Sequence, residues 1–165
     1  MATTYEKIAT ATGDGSSGTI TFSSIATSWT DLRVVLSGTT TTSIVMGMRF
    51  NGDTATNYSQ TYLSGNGSAA SSSRETNQNR NYLHSQAGTS TTIPQMFTID
   101  VFSYAGSTFK ISLITCSMDF NGSGVVEREV GLYRSTSAIN SVSIITGTGA
   151  FSTNFTATLY GILRA

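Results

Sequence analysis

Two glutamates, Glu127 and Glu129, stand two residues apart in VVEREVGLYR, so an extended chain projects both carboxylates from one face. Paired carboxylates are the working parts of glycoside hydrolysis, but such pairs usually face each other across a cleft from different strands. Neighbours on one strand are expected instead to form a solvated polar face. His84 is the only histidine and falls in a polar stretch, and no G-x-S-x-G elbow is present. General acid–base and nucleophilic chemistry need a base held beside a nucleophile, and no such constellation can be assembled. GDGSSG, residues 13–18, satisfies G-x-G-x-x-G. A phosphate cradle requires a helix to follow, whereas TITFSSI reads as a strand, so a glycine-rich hairpin is expected. DFNGSG, which begins at Asp119 and ends at Gly124, starts like a calcium-binding EF-hand loop. Position twelve is Val130 rather than a bidentate glutamate and the flanks are strands, which predicts a turn around Asn121 and Gly122. Cys116 is the single cysteine, so it excludes an internal disulfide and a cysteine-based zinc site and is expected to be a small buried hydrophobe. No catalytic residue, metal ligand or cofactor site emerges.

The elements that would position any site are strands. Among 165 residues, 38% are hydrophobic, 11% are charged and about a third are Ser or Thr, which suits one domain with a hydroxyl-rich surface. Nine basic residues balance nine acidic ones, so no field gathers phosphates or anionic lipid, and neither nucleic acid nor membrane is an expected partner. MATTYEKIAT lacks the pattern of a secretory leader and no apolar run has spanning length, which predicts a soluble, unprocessed chain in which the sequons NYS, NGS and NFT stay unmodified.

Hydrophobic residues recur with period two in short runs bounded by Gly, Ser, Thr and Asn. Ile20 and Phe22 share a face; so do Leu32, Val34 and Leu36; so do Ile44, Met46, Met48 and Phe50, and Phe97, Ile99 and Val101. In FKISLITCSMDF the apolar side is read as Phe109, Ile111 and Leu113, and in the next run Val126, Arg128 and Val130 oppose the two glutamates. With TYEKIATAT, INSVSIITG and NFTATLYGILR the total reaches eight to ten strands and no amphipathic helix. The expected fold is all-β, an antiparallel sandwich of jelly-roll type in a single domain, with a closed barrel as runner-up. Pro94 sits where a strand can begin without losing a ladder donor.

Residues 65–92 break the rhythm, with scattered apolar residues across nearly thirty positions. A polar segment of this length is expected to order only against a partner and to serve as a contact arm. Arg74 and Arg80 would present forked donors, Asn77, Gln78, Asn79 and Asn81 would pair with exposed backbone, and Tyr82 with Leu83 would anchor the arm. Before it, Asn51, Gly52 and Asp53 are turn chemistry, and Tyr58 and Tyr62 are candidates for an interface.

GTITFSSIATSWTDLRVVLSG (18–38), MRFNGDTATNYSQTYLSGNGS (48–68) and ATLYGI (157–162) resemble small β-sandwich structural proteins of tailed-bacteriophage virions, which serve as capsid decoration (cement) proteins or as tail-fibre and baseplate modules. The resemblance covers about a third of the chain. It implies a structural protein without enzymatic activity, on the outer surface of the phage head, that bridges neighbouring major capsid protein subunits, with a homo-oligomer, a trimer, as the expected state. The alternative it leaves open is a tail module that binds host surface carbohydrate through Trp29, Tyr58, Tyr62 and Tyr82.

Overall fold

A computed structural model describes residues 4–84 and 88–163. It contains twelve antiparallel strands: β1 (Tyr5–Thr12), β2 (Thr19–Phe22), β3 (Asp31–Gly38), β4 (Met46–Phe50), β5 (Tyr58–Gly65), β6 (Ala70–Gln78), β7 (Asn81–Tyr82), β8 (Gln95–Phe102), β9 (Lys110–Asp119), β10 (Gly124–Tyr133), β11 (Val142–Thr146) and β12 (Thr156–Ile162). Eight form one sheet in the order β1-β12-β3-β8-β9-β10-β5-β6, and four form a second in the order β2-β11-β4-β7. The all-β sandwich expected from the alternation is present, with more strands than the eight to ten anticipated.

The chain changes sheet at each of its first four connections, β1 to β5, so segments close in sequence contribute to opposite walls of the core. GDGSSG makes the first of these crossings. It is therefore not a hairpin; Asp14 Oδ1 accepts the amides of Ser16 (2.8 Å) and Ser17 (2.6 Å), and Gly15 takes φ 78°. Between the sheets one apolar cluster joins Leu32, Val34, Leu36, Phe97, Ile99 and Ile114 of the large sheet to Ile20, Phe22, Met48 and Ile144 of the small one. Each such side chain contributes about 1.5–3 kcal/mol relative to exposure.

Two turns take the geometry that their sequences predict. Asn51 and Gly52 both have positive φ (54° and 66°), and the Asp53 amide donates to the Phe50 carbonyl at 2.9 Å. Asn121 and Gly122 do the same (57° and 114°) in the β9–β10 hairpin, where Asp119 Oδ1 accepts the Asn121 amide. Asn and Gly tolerate this left-handed pair, and in the β9–β10 hairpin it also matches the twist of the paired strands. The reading of DFNGSG as a turn holds.

The segment 65–92 differs from expectation. Its first part is the β5–β6 hairpin, with Leu63 opposite Ser72 and Gly65 opposite Ala70, and β7 then joins the small sheet beside β4. Backbone pairing with β5 satisfies residues 70–78 internally, so this part of the segment needs no partner in order to form a strand. Residues 85–87 lie outside the described residues.

Candidate functional site

The residues proposed for an interface do not come together. Arg74 and Asn77 are exposed on β6, and Asn77 Oδ1 accepts a hydrogen bond from Arg134 Nη2 at 2.8 Å. Arg80 and Tyr82 are half-buried against each other, with the guanidinium carbon 5.3 Å from the ring centroid. The Tyr82 amide is spent on Gln60 Oε1 at 2.7 Å. Tyr58, Tyr62 and Leu83 are buried, as are Asn81 and His84. Tyr58 stacks on Tyr133 at 4.8 Å, and its hydroxyl oxygen accepts the Phe50 amide at 3.0 Å; burial pushes its phenol up. Leu83 belongs to the central cluster. The buried ones among them hold the fold, and Arg74, Asn77 and parts of Arg80 and Tyr82 stay open to solvent. His84 is likewise no part of a polar surface: Nε2 accepts the Met46 amide at 3.2 Å and the ring lies 5.6 Å from that of Phe97.

The four aromatics named for a carbohydrate platform do not share one open surface. Trp29 is half-buried and covers Gly161, where a Cβ would meet the indole at 2.2 Å. Tyr58 and Tyr62 are inside.

What the molecule presents is the outer face of the large sheet. On β9 the inward set is Lys110, Ser112, Ile114, Cys116 and Met118, so Ile111 and Leu113 point out. On β10 Val125, Glu127 and Glu129 point in and Val126, Arg128 and Val130 point out. Both assignments reverse the expectation: the glutamates are enclosed and the valines are solvated. The ladder sets Phe102 opposite Ile111, Ile111 opposite Leu132, Leu113 opposite Val130, and Leu63 opposite Arg128. Phe102, Phe109, Ile111, Val126, Val130, Leu63 and Met96 are 37% to 64% exposed. Thr98, Asp100, Thr115, Ser117 and Arg128 are interspersed on the same side, and the neighbouring Phe102, Ile111, Leu113 and Val130 form an open apolar cluster that suits a contact surface. Leu63, Ser64, Gly65, Ala70, Val126 and Arg128 line a shallow groove at its β5–β6 end. Charge on the face is sparse. Arg33 donates to both oxygens of Asp100 (2.6 and 2.9 Å), which neutralises one end, and leaves Arg128 in the middle.

Sequence reasoning missed this face because β9 is apolar on both parities. Ile111 and Leu113 alternate with Ile114, Cys116 and Met118, and choosing the first set places the wrong side inward. The usable signal was that β8, β9 and β10 carry apolar residues at odd and even positions together, more than one core can absorb.

The inward carboxylates form no catalytic cleft. Glu127 and Glu129 are fully buried, so a substrate cannot reach them. Cys116 is buried beside them, and burial followed by the charges of Glu127 and Glu129 pushes its thiol up, away from the reactive thiolate. Among the described residues, no group of three or more His, Cys, Asp or Glu is gathered as a metal site. Comparison with protein-family models gives no match, and comparison with curated proteins gives none either.

Proposed function

We propose that this chain is a structural protein of a tailed-bacteriophage virion, a decoration protein that stabilises the assembled head by bridging major capsid protein subunits. The observation that carries the reading is the apolar outer face of β8, β9, β10 and β5, with six large hydrophobic side chains of those strands left open in the isolated chain. A rigid, weakly charged sheet face suits a protein that must add contact area and nothing else. Binding only the assembled state stabilises that state by mass action, without any chemistry. The resemblance of 18–38, 48–68 and 157–162 to virion proteins supports the same reading; these segments build β2 and β3, the turn into β5, and β12. Among residues named for a glycan-binding tail module, Trp29 lies over Gly161, Tyr58 and Tyr62 face the core, and Tyr82 is half-buried against Arg80, which gives that alternative less support.

Calorimetry of purified shells, with and without saturating protein, tests the proposal. The expected result is an upward shift in disruption temperature that saturates with occupancy; no shift at saturation overturns it. Labelling of the protein on intact particles is expected to decorate the head, and signal confined to the tail would move the function to a tail module. We also propose a trimer on the shell, and light scattering of the free protein across a concentration series shows whether it preassembles.

A further inference from the structure

Behind the apolar outer face, the inner face of the same strands carries acids where a sandwich normally holds hydrocarbon. Ser64 Oγ donates to Glu127 Oε1 at 3.2 Å, and Gln60 Nε2 donates to Glu129 Oε2 at 2.9 Å. Gln60 is itself fixed, because its Oε1 accepts the Tyr82 amide from the opposite sheet at 2.7 Å. Glu129 Oε1 is buried without a hydrogen-bond partner. The charges acting on Glu129 are other acids, Glu127 on its own strand and Glu75 on β6. Each neighbouring element can be surveyed for a counter-charge. From β9, Cys116 lies opposite Glu127 and feels both carboxylates. From β5, Tyr62 lies opposite Glu129. From β7, the neutral amide of Asn81 packs over Gly131, where a Cβ would lie 2.9 Å from it. Lys110, on the same inner face of β9, is turned to the carbonyls of Thr108 and Ser135.

An ionised Glu129 enclosed beside a second acid, with one oxygen left without a hydrogen bond, costs more than the Gln60 amide donor returns. The penalty is relieved when one proton serves both, and the free oxygen of Glu129 then gains a partner. We infer that Glu127 and Glu129 hold a single proton between them, and that its loss frees the β5–β6 hairpin from β10, an alkaline-sensitive latch in the large sheet. The hairpin is the part that yields. On one side β10 is tied through β9 and β8 to β3. On the other, β5 holds the acids through Gln60 and Ser64, and its far edge bears only β6, whose residues are mostly exposed. Burial first, then the Glu127 charge, pushes the Glu129 carboxyl up to about 9 from 4.5. A carboxyl raised in this way gives its full stabilisation below 4.5, and that contribution shrinks as pH rises and is gone above about 9. The latch is therefore closed at neutral pH and opens on the alkaline side.

Infrared difference spectroscopy and hydrogen exchange test the inference together. At pH 7 the wild-type protein is expected to show a protonated carboxyl C=O band that disappears on titration through about pH 9 and is absent from Glu129→Gln. Amide exchange in β5 and β6, corrected for the intrinsic pH dependence, is expected to accelerate about tenfold or more between pH 7.5 and 10 in wild type. In Glu129→Gln it should stay flat. Absence of the band at pH 7, equal acceleration in Glu129→Gln, or a stoichiometric divalent cation retained by the purified protein would each overturn the inference, the last because a cation would replace the proton. Should Glu129→Gln not fold, the infrared titration of wild type with Glu127→Gln as the comparison decides the same question.

Discussion

Single residues set the geometry at two places, one where a missing side chain makes room and one where a carboxylate gathers a turn. Gly161 on β12 leaves the space that Trp29 fills, since an added Cβ would stand 2.2 to 2.5 Å from three indole atoms. Gly161→Ala is expected to lower stability by about 1–3 kcal/mol, a Tm loss of about 2–4 °C per kcal/mol for a chain of this size. Trp29 is the only tryptophan, so its fluorescence reports the displacement directly. Repeating the change in a Trp29→Ala background should recover most of the loss; an equal loss there would show that the strain lies elsewhere. The second place is Asp53, after the Asn51–Gly52 turn. Its Oδ2 accepts Asn57 Nδ2 at 2.8 Å and the Tyr133 hydroxyl at 3.1 Å, and its Oδ1 accepts the Ala55 amide. The Asn57 hydrogen bond leads in holding this carboxyl below its ordinary 3.8. Its contribution is therefore present above 3.8 and lost as pH falls through the lowered value. Asp53→Asn is expected to reduce Tm at neutral pH and to flatten the acid limb of the Tm–pH curve; an unchanged acid limb would remove Asp53 from it. The turn was legible in the sequence because Asn-Gly-Asp chemistry is local. The role of Tyr58 was not, since its stacking on Tyr133 joins β5 to β10, and no short-range pattern records a partner so far along the chain.

At the scale of elements, alternation was legible wherever one parity is clearly apolar, as in β3 with Leu32, Val34 and Leu36 or β8 with Phe97, Ile99 and Val101. It misled where both parities are apolar or where the buried set is polar, which is the situation of β9 and β10. A one-residue change of parity sends a strand's whole side-chain set to the other face, so those errors inverted the candidate site rather than blurring it. The polar segment 65–92 was illegible for a related reason. Serine and threonine in ASSSRETNQ give no hydrophobic period, yet their backbone pairs with β5 as well as any other. The segment divides into two parts of unequal weight. Residues 71–76 of β6 are almost wholly exposed, whereas Asn81, Leu83 and His84 are enclosed and the Leu83 amide donates to the Met46 carbonyl at 3.0 Å. Replacing 71–76 by a Gly-Ser run of equal length should move Tm by no more than a few degrees. Leu83→Ala should cost about 2–5 kcal/mol, as large-to-small core changes do. Thermal denaturation of the two variants side by side checks the division, and a larger loss from the β6 replacement would mean that the hairpin braces the sheet.

The whole molecule is an unequal sandwich, eight strands against four, and the imbalance explains the exposed face. One side of the large sheet packs on the small sheet, and none of the described residues forms a layer over the other. Apolar residues at both parities of β8, β9, β10 and β5 therefore divide between a core and an open surface. The two faces can be told apart by changing neighbours in sequence. Leu113 and Ile114 adjoin on β9, but Ile114 is fully buried in the central cluster, while Leu113 lies on the outside opposite Val130. Ile114→Glu places an unpaired carboxylate in the core and is expected to prevent folding or to cost several kcal/mol. Leu63→Glu together with Val130→Glu acts on side chains that are 58% and 48% exposed, and should leave circular dichroism unchanged and Tm within about 2 °C of wild type. On the docked shell the pair would bury two added carboxylates, of which Arg128, opposite Leu63, can answer only one, so binding is expected to weaken by at least about tenfold. Cosedimentation of folded variant with purified shells measures it. Wild-type affinity in the double variant would exclude the outer face as the contact and leave the free backbone edges of β1 and β6, at the two ends of the large sheet, as the surfaces that remain.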